Sequence, residues 1–474
     1  MHRSLLVLSF LACLAGQATF AQAPKAKPAP PAKKAAAAPK AAAKPPGLGL
    51  KDGDRFIFIG DSITHQCLYT QYVEDFFYTR YPKLHLHFRN AGVGGDRAAD
   101  ALDRFDDDIA SFKPTFATIL LGMNDGSYRD FDAPTFKTYA EGMIKLMDKL
   151  DAIHCKVILM SPTMYDLQAF EQRVAKEPKR ANNGATENYN GVLAYYGKWL
   201  QETARKRGYR FVDIFSPLNT HTVQQRLKDP AFTMIPDAVH PAQDGQLVMA
   251  YELLRQTGEL GGVLGTGVRA VNGQWQPMNP AQVKDVAGDA GHTASYTVLP
   301  KCLPWVVPDD AQAGFKLTRA GHTGSQESHI AVGLAAGRYD LIINGQNVGV
   351  FDERMLGVHA EIEEDPDSPT HQQALKIALL NQQRNNDAIH PLRDLYGQRK
   401  GKLRAAKQTG DMKAFETWWA ESRTKETELM KKAGAIEAEI YKANQVAPLK
   451  VEIKPAATLA PTSKPKKPGA KKAA

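Results

Sequence analysis

Cysteine is scarce in this chain: four occur in 474 residues, and Cys13 lies inside an apolar N-terminal run. Cys67, Cys155 and Cys302 are too few and too scattered for a disulfide framework. An oxidising compartment would allow one pair, which the sequence does not select; buried small side chains suit all three better. Beyond the N-terminus no apolar run approaches the roughly eighteen residues that a membrane-crossing helix needs, so no transmembrane segment is expected. Dense metal-ligand spacing is missing as well. His85 and His87 share a strand face, but two ligands do not make a site, and neither a metal nor another cofactor is called for. A basic groove for nucleic acid is also lacking. The formal charge is +9, yet six Lys fall in 24–46 and seven, against one Glu, in 447–474. Together with Arg3 these exceed the whole surplus and leave residues 47–446 mildly acidic.

The two ends carry their own signals. Met1-His2-Arg3, the apolar residues 4–15 and Ala21-Gln22-Ala23 have the layout of a secretory leader over 1–23, which predicts a periplasmic or secreted protein. Residues 24–46 are almost only Ala, Pro and Lys, a composition that buries no core and predicts an extended linker. Residues 447–474 are read as a basic disordered tail of the same kind. Both suit flexible tethers; their second use would be electrostatic contact with an anionic cell surface.

The 400 residues between these ends exceed one ordinary core and predict more than one domain. From 47 to 265, strand-like runs at 56–59, 84–88, 116–121, 157–160 and 211–214 alternate with helical patterns at 67–80, 98–111, 134–150, 185–207 and 242–255. Short, mostly apolar strands alternating with helices predict an α/β fold with a five-stranded parallel sheet covered on both faces. Its reactive groups belong at the carboxyl ends of the strands. Residues 266–367 read as a β-rich accessory segment, with strands at 294–299, 315–318, 329–332 and 339–343 and a tight turn at Asn344-Gly345. Residues 368–446 read as a helical hairpin with stretches at 370–392 and 399–444, the second interrupted near Gly410. Phe415, Trp418 and Trp419 would be its docking face on the first domain.

Four short stretches carry the chemistry: Gly60-Asp61-Ser62-Ile63-Thr64, Asn90-Ala91-Gly92-Val93-Gly94-Gly95-Asp96, Gly122-Met123-Asn124-Asp125-Gly126 and Asp237-Ala238-Val239-His240-Pro241. Ser62 follows a strand and opens a helix, whose positive end favours a developing alkoxide. Asp61 is placed to hold the turn through backbone amides. Gly94-Gly95 lets the backbone approach a ligand and present an N–H to it, and the Asn124 amide can donate without changing charge. Asp237 and His240 stand three apart, so one helical turn would face both the same way. The carboxylate then orients the imidazole, and the imidazole takes the serine proton. Any one stretch matches by chance; the ordered set of four does not.

In these four blocks the chain resembles the SGNH, or GDSL-type, hydrolases over about residues 54–256. The resemblance implies a three-layer, flavodoxin-like α/β/α sandwich. It also implies Ser62 as nucleophile, His240 as base, Asp237 as its orienting carboxylate, and an oxyanion hole from the Ser62 N–H, the Gly95 N–H and the Asn124 side chain. Gly95 is preferred to Gly94 because the family's second-block glycine directly precedes an Asp or similar polar residue, as Gly95 precedes Asp96. The expected function is ester hydrolysis, with an acetylated polysaccharide or cell-wall glycan as substrate. The alternatives are a lipid or short-chain ester, or a non-catalytic surface-binding protein that keeps the fold. Residues 166–183 depart from the family as a long polar insert, read as a lid or pocket wall.

Overall fold

The computed structural model describes residues 45–179 and 184–456. The leader over 1–23, nearly all of the 24–46 linker, insert residues 180–183 and the tail from 457 lie outside the described residues.

The first part is a five-stranded, all-parallel sheet of order β2-β1-β3-β4-β5: β1 Arg55–Gly60, β2 His87–Gly92, β3 Phe116–Leu120, β4 Lys156–Met160 and β5 Arg210–Val212. Helices α1 (Ser62–His65) and α2 (Leu68–Arg80) follow β1, and α3 (Ala98–Asp103) follows β2. Next come α4 (Ala133–Ala152), α5 (Leu167–Lys176), α6 (Tyr189–Arg207), α7 (Phe215–Arg226) and α8 (Gln243–Gln256). Right-handed crossovers put α2 beside α8 on one face and α3 beside α4 on the other. The order reverses at β1, so the crevice opens beyond the carboxyl ends of β1 and its neighbours.

β2 lies a few residues later than the 84–88 expected. Arg89 and Asn90, beyond the end of the expected strand, are buried inside the observed one, with Arg89 paired to Asp108 at 3.0 Å and the Asn90 amide donating to the Thr64 carbonyl at 2.6 Å. The helix expected over 98–111 breaks at Arg104 into α3, a π turn at Phe105–Ile109 and a 3-10 turn at Ala110–Phe112.

Two further sheets follow. One, of order β13-β10-β6-β7, joins β6 (Leu264–Val271), β7 (Gln274–Pro277), β10 (Glu327–Val332) and β13 (Ala360–Glu361). The other, of order β12-β11-β14-β9-β8, joins β8 (Val283–Ala287), β9 (Ala294–Val298), β11 (Arg338–Ile343), β12 (Gln346–Asp352) and β14 (Leu449–Pro455). Two expectations are overturned here. Residues 315–318 belong to a helix, α9 (Gln312–Thr318), which α10 (Ala320–Gly324) follows, and α11 (Glu353–Val358) comes after β12. Residues 449–455, assigned to a disordered tail, form the central strand of the five-stranded sheet. Leu449, Val451 and Ile453 point into its core while Lys450, Glu452 and Lys454 alternate outward. The lysine count of the segment hid this period-two pattern.

The hairpin consists of α12 (Pro369–Arg384), a π turn at Asn385–Ile389, α13 (His390–Thr409) and α14 (Met412–Ala443). The first arm therefore runs unbroken through 392–399, and the reversal comes at Gly410-Asp411; the π turn sits just before Pro391, which has no N–H to give. Phe415, Trp418 and Trp419 belong to a cluster made mostly of the hairpin's own Leu392, Leu395, Tyr396 and Leu403, to which the first domain contributes Val93.

Docking runs instead through Ala374, Ile377 and Ile440, which join the main apolar core, and through buried ions. The Asp108 carboxylate, fully inaccessible, takes Arg104 at 2.6 Å, Arg89 at 3.0 Å and Arg393 of α13 at 2.7 Å. Burial alone would raise its pKa, but the three guanidiniums outweigh burial and hold it well below the usual carboxylate range. The hairpin also covers the open edge of β2, where Arg384 donates to the Phe88 carbonyl at 2.8 Å and Tyr441 to that of Leu86. On α2, the buried Glu74 takes Arg384 at 3.2 Å and Asp75 takes the Asn381 amide at 2.8 Å. Cys67, Cys155 and Cys302 are free and buried, and no helix among the described residues is long and apolar enough to cross a membrane. Arg393→Met leaves Asp108 short of one partner in a water-free site and should cost about 3–5 kcal/mol in urea unfolding of the whole chain. A loss below about 1 kcal/mol would show that this ion cluster does not hold the hairpin.

Candidate active site

β1 ends at Gly60 and α1 starts at Ser62, so Asp61 alone turns the chain. A Cβ on Gly60 would lie 2.0 Å from Thr64 Oγ1, so only glycine lets the strand pass this close to the turn it feeds. Asp61 caps α1 by accepting the Ile63 N–H at 2.9 Å. Its side chain is buried, and burial pushes the carboxyl up to about 7 against the pull of that hydrogen bond and of His240.

Asp237 and His240 sit on the loop before α8. The helical turn expected to align them is absent. Residues 237–240 form a bend with Ala238 in the left-handed region at φ +75°, and one carboxylate wraps the whole loop. Asp237 Oδ1 accepts the backbone N–H of Val239 at 2.9 Å and of His240 at 2.7 Å, while Oδ2 takes His240 Nδ1 at 2.7 Å. The ring's other nitrogen, Nε2, stands 2.8 Å from Ser62 Oγ. Burial would raise the Asp237 pKa, but the hydrogen bonds from His240 and Val239 prevail and bring it down to about 2. The hydrogen bond to Asp237 raises that of His240, against its burial.

The 166–183 insert, read as a lid or pocket wall, buttresses this loop. Arg173 of α5 donates to the Asp237 carbonyl at 2.8 Å, and the Asp166 N–H donates to the Ala238 carbonyl at 2.9 Å. Asp166 is itself pinned by Arg226, with 2.8 Å to each carboxylate oxygen. Neither Arg173 nor Asp166 gave a sequence signal, since each acts through a backbone carbonyl more than sixty residues away.

On the other side, Asn124 Nδ2 donates to Asp61 Oδ2 at 3.3 Å and to the Asp96 carbonyl at 3.1 Å, while Tyr128 donates to Asn124 Oδ1 at 3.1 Å and so fixes which end of the amide faces the serine turn. Gly95 is in the left-handed region at φ +68°, where a side chain would be strained. The structure distinguishes the two glycines. The Gly94 N–H donates to His65 Nδ1 at 3.2 Å, whereas the Gly95 N–H has no partner among the described residues. One run of contacts thus joins the four blocks, from Asp237 through His240 to Ser62, and from Asp61 through Asn124 to the Asp96 carbonyl, one residue past Gly95.

A hydroxyl within hydrogen-bond distance of an imidazole, itself backed by a carboxylate, can lose its proton as it attacks a carbonyl carbon. Preset N–H donors can stabilise the oxyanion that results. Because His240 must be neutral to accept the proton, its raised pKa places the acid limb of kcat/KM above the ordinary imidazole value of 6.5. Activity should be lost as pH falls through that limb. Asp237→Asn removes the main upward pull, so the limb should move to lower pH while kcat falls on the order of 10⁴-fold. A limb that stays in place would mean another group carries it. Asn124→Ala should lower kcat ~10²–10³-fold with KM little changed in steady-state assays.

Residues 58–248 match the model of the GDSL-like lipase/acylhydrolase family. An acetylxylan esterase from Geobacillus stearothermophilus is 26% identical over 229 residues, covering 44% of this chain and 94% of that protein. Among solved structures, a gut microbial diltiazem-metabolizing enzyme superposes with TM-score 0.71 at 23% identity, over 86% of this chain and 98% of its own. The shared fold therefore extends well past the parallel sheet. A crystal structure of the acetylxylan esterase Axe2 from Geobacillus stearothermophilus matches 44% of this chain and 95% of its own at 24% identity, with TM-score 0.34.

Proposed function

Residues 58–248 belong to the GDSL-like lipase/acylhydrolase family and the chain is a hydrolase of ester bonds; on that premise we propose a serine esterase that removes acetyl groups from a carbohydrate outside the cytoplasm. The observation that carries the proposal is the 2.8 Å separation of His240 Nε2 from Ser62 Oγ, with Asp237 2.7 Å behind the ring. In this reading Ser62 attacks the ester carbonyl as His240 takes its proton. The oxyanion settles among the Ser62 N–H, the Gly95 N–H and the Asn124 amide, which exchanges its present acceptors for the substrate oxygen. His240 returns the proton to the leaving sugar hydroxyl, and a water activated in the same way then frees acetate from the acyl-serine. Asp61 holds the turn.

Two observations support acetylated carbohydrate over lipid: the 26% identical relative is an acetylxylan esterase, and the sequence has no long apolar loop to receive an acyl chain. The N-terminal leader signature supports the periplasmic or secreted location. The purified chain should hydrolyse p-nitrophenyl acetate and release acetate from acetylated xylan faster than it cleaves a lysophospholipid, and Ser62→Ala should abolish all of it. Activity that survives Ser62→Ala would remove the nucleophile. Faster lysophospholipid cleavage would overturn the substrate class, and activity confined to the cytoplasmic fraction would overturn the location.

A further inference from the structure

The hairpin reaches the loop that carries the Gly95 N–H. Lys400 of α13 donates to the Gly94 carbonyl at 3.0 Å and to Asp96 Oδ1 at 2.9 Å, so one ammonium grips both neighbours of Gly95. It stands so close that a Cβ built on Gly95 would lie 3.6 Å from its Nζ. The Gly94 N–H is gripped from the opposite side: it donates to His65 Nδ1 at 3.2 Å, and His65 Nε2 lies 3.2 Å from Asp394 Oδ1, also on α13. Asp96 is completely buried, and its other carboxylate oxygen takes Arg104 at 2.8 Å. Its carbonyl accepts from Asn124 at 3.1 Å, so the same residue links Lys400 to the second proposed oxyanion donor.

We propose that Lys400, together with Asp394 acting through His65, positions the Gly94–Asp96 peptides for oxyanion binding, which makes the C-terminal hairpin part of the esterase's catalytic apparatus. The proposal rests on the serine-esterase reading. A glycine-rich loop in a left-handed conformation does not stay rigid by itself, and a donor that drifts by about 1 Å can lose on the order of 10²-fold in rate. The Gly94 carbonyl shares its planar peptide unit with the Gly95 N–H, so holding that carbonyl sets where the N–H points, while the grip on the Gly94 N–H fixes the peptide before it. The protonation of His65 fits the arrangement. Burial and the nearby His390 ring pull its pKa down to about 4, so the ring is neutral. A neutral ring that accepts the Gly94 N–H at Nδ1 carries its proton on Nε2, facing Asp394. His390 completes a His65–His390–Asp394 trio whose ligand atoms lie within 4.8 Å of one another. A cation there would need the Nε2 lone pair and would drive the proton onto Nδ1, against the Gly94 N–H. The His65–Asp394 pair is therefore a hydrogen-bonded brace, with His390 beside it 3.6 Å from Asp394 Oδ2, and an added divalent cation should weaken the esterase by breaking the pair.

Lys400→Met, Lys400→Arg and Asp394→Ala are compared with wild type on p-nitrophenyl acetate, with thermal unfolding of each chain recorded. The control is Lys407→Met, whose ammonium meets Asp103 at 2.8 Å on the same pair of helices but away from the glycines. Lys400→Met should lower kcat on the order of 10–100-fold with KM within about twofold; it also takes a cation from the buried Asp96, so its melting temperature should fall while the chain stays fully folded at the assay temperature. Lys400→Arg should restore much of the loss, Asp394→Ala should lose less than Lys400→Met, and Lys407→Met should match wild type. Paired with Asn124→Ala, Lys400→Met should cost less than the product of the two single losses, because both act on one oxyanion. Full kcat in Lys400→Met, or an equal loss in Lys407→Met, overturns the positioning role. So does activation of the wild-type chain by zinc. An inactive wild type overturns the esterase reading instead, so the two failures cannot be confused.

Discussion

A carboxylate cannot remain charged in a water-free core unless cations meet it there, and Asp108 is such a carboxylate. Arg104 and Arg89 come from the parallel-sheet domain, and Arg393 comes from a helix nearly three hundred residues later. Because Arg393 completes this cluster, α13 is docked in one register against α3 and β2. That register delivers Lys400, two turns along the same helix, to the carbonyl of Gly94. The charge that secures the interface thus also sets the approach to the active site. The tryptophan face, which looked like the natural adhesive, serves mainly to hold the hairpin together.

Carboxylates do three different jobs within a small volume, and environment assigns them. Asp237 accepts three hydrogen bonds and stays ionised, which keeps His240 oriented and basic. Asp61 is buried with fewer donors and is pushed up to about 7, as suits a cap that shapes a turn. Asp96 is fully buried yet faces Arg104 and Lys400, and it links loop and hairpin. The same side-chain chemistry orients a base, shapes a turn or anchors a loop according to the number of donors that reach it.

Much of the parallel-sheet domain was legible in the chain, because its strands are short apolar runs and its reactive residues sit in short motifs just beyond them. The misreadings share a cause. Arg89 and Asn90 fell outside the expected second strand, residues 449–455 looked like tail, and 315–318 looked like a strand. In each case composition was taken for environment. A buried arginine is polar on paper and structural once Asp108 meets it, and a lysine-rich segment becomes a central strand when every second residue is apolar. Asp237 and His240 were paired correctly by spacing but for the wrong local geometry, since an Asp-capped bend aligns them where a helical turn was expected.

Local patterns in the chain carried the four blocks, their order and the parallel α/β scaffold. These depend on residue identity and on short-range periodicity, which are local properties of a chain. Folding settled which glycine N–H is left without a partner among the described residues, that the insert supports the histidine loop, and that a distant hairpin holds the Gly94–Asp96 loop. Those outcomes depend on contacts between residues far apart in sequence, where burial and pairing set what each side chain does, and no local pattern encodes them.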